Sequence, residues 1–199
     1  MADSYTDLDR LILERWTDVV GLINAHKEVQ DHVEAVVETV AERVARWARD
    51  QDFESDVSAR DAQFYVWRPA WYDKRKGESR VTFILGGFCP AGFRKVNDPH
   101  PYLWVDTSAL EHFKVKEPER IRFAQGLRSA LGDHARDWEA EGLDDADLPL
   151  GRYLREYDNE ARAKLLLDPD ALFAFCTQHL PTVMGLADVV DAELKRLGW

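Results

Sequence analysis

The sequence predicts an α+β fold. A small antiparallel β-sheet of three to four strands follows an N-terminal helical hairpin, and C-terminal helices pack on the sheet. Three observations predict it. Apolar residues recur every three to four positions over residues 5–50 and again from Pro118 onward. Between these stretches, residues 63–107 carry short aromatic and β-branched runs. The connections between those runs are too short for crossovers, which leaves antiparallel pairing. At 199 residues the chain reads as a single α+β domain, 1–199. Its parts are a helical hairpin over 5–50, a sheet region over 63–107 and a C-terminal helical region over 118–198.

In the first part, Leu8, Ile12, Trp16, Val19 and Ile23 fall on one helical stripe. Val29, Val33, Val36, Val40, Val44 and Trp47 fall on another. One unbroken helix of about 45 residues would be roughly 68 Å long. A compact chain of this length has a diameter of about 42 Å. Gly21 and Asn24 are the weakest helix formers in the window, so the expected break lies between Gly21 and Lys27. The competing reading is a continuous coiled-coil arm that makes a homodimer, with His26 in its stripe.

Residues 51–61 are polar and without period, and read as a linker. Gln63 to Arg68 reads as a strand stopped by Pro69. Arg80 to Phe88 is apolar on both faces, so it is expected at the centre of the sheet. Its Gly86-Gly87 pair marks a bulge, a bend or a close backbone approach. Tyr102 to Asp106 is the third strand. Cys89 to Gly92 and Asn97 to Pro101 have turn chemistry. Pro118 then opens a helix with Ile121, Ala124, Leu127, Leu131, Ala135 and Trp138 as its buried stripe. Residues 139–150 read as an acidic loop, and Arg152 to Tyr157 as a fourth strand. Asp168-Pro169 is a capped helix start. That helix carries Leu172, Phe175, Cys176 and His179, with Pro181 as a break or restart. A final helix carries Met184, Ala187, Val190, Leu194 and Leu197 and stops at Gly198.

Composition excludes several function classes. The chain has 26 basic and 37 acidic residues, a formal net charge of −11. Such a field repels phosphate backbones, so no direct nucleic-acid binding is expected. The densest basic stretch, Arg68 to Arg80 around Lys74, Arg75 and Lys76, reads as a solvated turn. No apolar run reaches the ~18 residues of a membrane span. The polar, acidic N-terminus is neither a signal nor a transit peptide. Cys89 and Cys176 form no disulfide framework or four-ligand zinc site. These features together give a cytoplasmic expectation.

Motifs for chemistry are absent. There is neither a P-loop nor a dinucleotide glycine motif. The histidines His26, His32, His100, His112, His134 and His179 show no metal-ligand spacing. His100 and His112 with Asp98 and Asp106 could converge from a loop and a strand end, but such groupings arise often by chance, so neither metal nor cofactor is expected. The run Asp144-Asp145-Ala146-Asp147 lacks the glycine and terminal glutamate of a calcium loop. Cys89 follows a strand but has no neighbouring base, and reads as a small buried hydrophobe.

The aromatics carry the remaining signal. Tyr65 and Trp67 share one face of the first strand, and Tyr102, Trp104 and Asp106 share one face of the third. If these faces coincide they make an aromatic surface with Arg68, Arg94 and His100 at its margins. If they oppose, or a helix covers them, the rings belong to the core.

Residues 1–115 resemble accessory modules of bacterial proteins of the PD-(D/E)XK nuclease family. The resemblance is carried by Arg43-Val-Ala-Arg-Trp47 ending the helical region, by Phe64-Tyr-Val-Trp67 with Trp71, and by the strand from Val81 to Phe88. The family's catalytic carboxylates and lysine have no counterpart here. The nearest spelling, Glu193-Leu194-Lys195, lies in the last helix. The resemblance therefore implies an accessory or sensing role.

The function expected is a non-catalytic cytosolic binding or regulatory module. It would use Tyr65, Trp67, Arg68, Arg94, His100, Tyr102, Trp104 and Asp106 to hold a protein partner or a small ligand. The first alternative is an enzyme with chemistry near Cys89, His100 and Asp106. The second is an acidic inhibitor that imitates DNA.

Overall fold

The computed structural model describes residues 6–90, 100–138 and 146–199. Positions 91–99, which include Arg94 and Asp98, and positions 139–145 of the acidic loop lie outside the described residues, as does the side chain of Ala135.

The chain opens with α1 (Asp7–Glu14), started by a reciprocal capping box between Thr6 and Asp9. Arg15 alone leaves helical geometry, at φ −108° and ψ 26°. The ladder nevertheless continues across it, from Arg15 N–H to Leu11 O and from Val19 N–H to Arg15 O. Helix α2 (Trp16–Arg49) then runs for 34 residues, about 51 Å. The expected break between Gly21 and Lys27 is absent, and no helical hairpin forms. A glycine in a helix costs about 1 kcal/mol relative to alanine. That interrupts a helix only when packing rewards the turn, and none of the described elements offers such a surface. The buried residues of α2 are Val33, Val37, Val40, Val44 and Ala48. Asp52, at φ 63°, turns the chain out of the helix while Phe53 N–H returns to Ala48 O.

A five-stranded antiparallel sheet follows, in the order β1-β2-β5-β6-β7. Its strands are β1 (Glu54–Ser58), β2 (Gln63–Trp67), β5 (Thr82–Gly86), β6 (Tyr102–Asp106) and β7 (Leu150–Tyr153). A two-stranded ribbon, β3 (Tyr72–Asp73) with β4 (Glu78–Ser79), is inserted between β2 and β5. The strand expected at Arg80 to Phe88 is central, as its two apolar faces require. The strand count is higher than expected. Glu54–Ser58, read as linker, is an edge strand paired over its whole length with β2. Its polar residues gave no alternation to read, because an edge strand is held chiefly by its backbone ladder. The last strand starts earlier than expected, at Leu150.

One face of the sheet is core. Phe64, Val66, Phe83, Leu85, Leu103 and Val105 are fully buried there, with α2 packed on β1 and α6 (Pro169–Met184) on β5 and β6. The Gly86-Gly87 pair makes the close approach. A Cβ on Gly86 would stand 2.6 Å from the Tyr102 ring, and Gly87 has φ +68°.

The helical region comprises α3 (Ala109–His112), α4 (Glu117–Leu131), α5 (Asn159–Leu167), α6 and α7 (Ala187–Arg196). In α4 the buried residues are Phe123, Ala124 and Leu127, while Ile121 is exposed. The periodic stripe is thus rotated from the expected one, and Gly132–Trp138 continues as a 3-10 segment. Asp168 caps α6 by accepting from Asp170 N–H at 2.8 Å. Pro181 does not break the helix, which runs on to Met184. Arg162 of α5 is 1% exposed and donates to the carbonyls of Gly87 and Cys89 at 3.0 Å. It ties the end of β5 to the helices.

Candidate functional site

The register between strands decides which side chains share the open face. Asp56 pairs with Tyr65, Tyr65 with Ile84, and Ile84 with Trp104. One row further, Trp67 pairs with Glu54 and stands level with Thr82, which pairs with Asp106. The two predicted aromatic pairs therefore lie on the same face of the sheet, opposite the core.

Part of that face is a cleft of about 450 Å³. Tyr65 and Trp67 of β2, Asp56 of β1, Thr82 of β5 and Asp106 of β6 line its floor. The β3–β4 ribbon adds Tyr72, Glu78 and Ser79, and Ser108 closes the end beyond β6. The Trp67 and Tyr72 rings are stacked, with centroids 5.9 Å apart and planes at 21°. Pro69–Trp71 forms a 3-10 turn that makes this possible, because it brings the chain back so that Tyr72 reaches Trp67. The turn is pinned by Trp71, which is 2% exposed and donates from Nε1 to Asp191 at 2.6 Å.

The cleft is negative. Asp56, Glu78 and Asp106 line it, and no Lys or Arg does among the described residues. Burial holds the Asp106 carboxyl above the ordinary carboxylate range, with Asp147 and Glu78 adding to the effect and bonds from Ser108 opposing it. The Ser108 N–H donates to Asp106 Oδ1 at 2.8 Å. Burial likewise raises the Tyr65 phenol, with Asp61, Asp106 and Asp56 contributing. Glu78 is held by His112 Nδ1 at 3.0 Å. Among the described residues no group of three His, Cys, Asp or Glu stands close enough to hold a metal ion. The carboxylates surround a volume instead of converging on a point.

The structure separates the other predicted residues from this cleft. Tyr102 stacks on Trp104 at 3.8 Å and is 1% exposed. Its hydroxyl accepts from Gln63 Nε2 at 2.6 Å, and Tyr65 donates to the same Gln63 side chain. Tyr102 thus supports the face from within and presents no ring to a ligand. Trp104 lies outside the cleft, with its Nε1 buried and unpartnered. Arg68 turns the other way, onto α7, where it pairs with Asp188 at 2.7 Å and with Asp191. The sequence could not reveal this, because α7 lies some 120 positions later. His100 precedes β6 and is half-buried, while Asp106 ends that strand. Six residues of extended chain separate the two by about 20 Å. Cys89 lies at the His100 end, after Gly87, whose added Cβ would meet His100 O at 2.7 Å. Cys89, His100 and Asp106 therefore do not form one centre.

The basic stretch is also partly consumed internally. Lys76 bonds His112 O and Arg80 pairs with Asp73 at 3.4 Å. The residues missed by the sequence reading are Asp56, Tyr72, Glu78, Thr82 and Ser108. Asp56, Tyr72, Glu78 and Ser108 belong to the unrecognised edge strand, the short ribbon and a loop, none of which carries a periodic signal, whereas Thr82 begins β5, a strand that was readable. No family model, no curated protein and no solved structure matches this chain.

Proposed function

We propose that the protein is a binding module whose sheet cleft takes an organic cation with an apolar or flat body, such as a guanidinium or alkylated ammonium group. The carrying observation is that Asp56, Glu78 and Asp106 share one cleft with the stacked Trp67–Tyr72 pair, with no Lys or Arg in the lining among the described residues. A cation over an aromatic face gains about 0.5–2 kcal/mol, more as water is excluded. The surrounding carboxylates supply the countercharge. The volume of about 450 Å³ is in the range of small-ligand sites. A binding role agrees with the accessory function that the PD-(D/E)XK resemblance implies.

Titration calorimetry with agmatine and choline, against glutamate and glucose as controls, tests this. Binding of a cation is expected, weakened at least about tenfold by Trp67→Ala and weakened by added salt. Equal responses to cations and controls, or affinity untouched by Trp67→Ala, would overturn the reading.

A further inference from the structure

The first 26 or so residues of the helical region cover nothing in the described structure. Counting along α1 and α2, the positions Ile12, Trp16, Val19, Ile23, His26 and Gln30 alternate in steps of four and three. The same alternation continues through Val33, Val37, Val40 and Val44, which are buried. A 3-4 repeat of this kind is a seam for packing against another helix. The later half of the seam is occupied by the protein's own body, since α2 packs on α6 and β1. The earlier half is open: Trp16 is 55% exposed and Ile23 58%. Leu13 and Val20 widen it on one flank, and Leu22 and Val29 on the other.

The exposed area is large. Eight apolar side chains between Leu8 and Val29, on the seam and both its flanks, stand 37–72% exposed. The largest apolar patch of a typical monomer is about 300–600 Å². A standard interface buries about 800 Å² per partner. The polar side of the arm excludes a lipid surface. Asp7, Asp9, Glu14, Asp18, Glu28 and Asp31 outnumber Arg10, Arg15 and Lys27, and anionic headgroups repel such a face.

We propose that the occupant is a second copy of this chain, with the two arms paired antiparallel. The orientation follows from where the body sits. From Val33 onward the seam side of α2 is filled by the body. Two parallel arms facing each other would therefore drive both bodies into one space. Antiparallel arms put the bodies at opposite ends. Setting Trp16 against Val19 of the other copy and Ile23 against its Ile12 places apolar against apolar over the centre of the seam, with His26 and Gln30 toward its ends. It also brings Lys27 level with Asp7 and Asp9 of the other copy and opposes the helix dipoles. This interface is independent of the sheet cleft and of the ligand reading.

Sedimentation equilibrium of the whole protein tests the pairing. A dimer is expected, with Trp16→Glu/Ile23→Glu weakening it about 100-fold or more. Both positions are exposed, so this variant keeps the melting temperature of the body. A monomer at all concentrations, or a dimer indifferent to the double substitution, overturns the proposal. Orientation is read by cysteine cross-linking in a Cys89→Ser background, where the remaining Cys176 is buried and its thiol is pushed well up in pKa by that burial. Ile12→Cys/Ile23→Cys is expected to link position 12 to position 23 of the other copy. Ile12→Cys alone is expected to stay unlinked, and efficient 12-to-12 linkage would mean parallel arms and overturn the assignment.

Discussion

The two halves of α2 are written in one pattern and have opposite surroundings. Val37, Val40 and Val44 are fully buried, whereas Trp16 and Ile23, on the same stripe, stand more than half exposed. Spacing, helix propensity and side-chain size do not separate them. What differs is what lies across from the stripe: β1 and α6 after Val33, and no described element before it. Periodicity reports which face of a helix is apolar. It does not report whether the partner is in the same fold. The sheet repeats the contrast between its faces, with Phe83 and Val105 sealed on one side and Tyr65, Trp67 and Asp106 open to a cleft on the other.

The largest effect that divides the halves comes from one charge placed in each. Val40→Asp puts a carboxylate among core residues where no partner awaits it. Lost apolar burial and desolvation together cost about 3 kcal/mol or more. Ile23→Asp, measured at concentrations where copies are apart, should change stability by no more than about 0.5 kcal/mol. Urea unfolding followed by tryptophan fluorescence gives both values. Similar losses at the two positions would mean that the arm folds back onto the body in solution, and the contrast would fall.

The same division explains what was legible in the sequence. Helices with a buried stripe and a cap, such as the one begun by Asp168-Pro169, were readable because local chemistry and packing agree there. So was the central strand Thr82–Gly86, apolar on both faces. The site was half readable. Strand period placed Tyr65 with Trp67 and Trp104 with Asp106, but the register that joins them is a tertiary fact. The edge strand Glu54–Ser58 left no trace because its stability is in backbone pairing. Gly21 and Asn24 misled in the other direction. Their weak propensity is a local cost, and a hairpin needs a long-range reward.

Asp106 offers a middle-sized effect, on the open face of the sheet. Burial raises its folded pKa, and Asp147 and Glu78 push it the same way. For a carboxyl raised on folding, the neutral form favours the fold. Its contribution is complete below the unfolded value, about pH 4, and is lost as pH rises through the folded pKa. Asp106→Asn is neutral throughout and keeps an acceptor for the Ser108 N–H. It should therefore stabilise the protein at pH 7 by up to about 1 kcal/mol, a rise of roughly 2–4 °C in Tm, with the gain vanishing near pH 4. The same substitution should weaken cation binding about tenfold by removing a countercharge. Calorimetric melts at the two pH values, with titrations at pH 7, measure both. A loss of stability at pH 7 would show that Asp106 serves the fold, as the buried face does, and not the cleft.

The smallest effect sharpens the comparison most, because it asks whether the halves of α2 unfold together. Gly21 sits in the middle of the arm, and a Cβ added there meets nothing within 4 Å. Gly21→Ala should stabilise the local helix by about 1 kcal/mol through backbone entropy alone. If the arm opens independently of the body, the gain stays in the arm. Amide exchange around residues 18–25 then slows about fivefold, while the urea midpoint of the body does not move. If the midpoint rises by the full amount, the exposed turns belong to the same cooperative unit as Val37–Val44, and the helix transmits stability along its length without burial. Measured as a function of protein concentration, the exchange data separate a third cause. Protection that grows as copies pair belongs to the interface, whereas protection independent of concentration belongs to the helix itself.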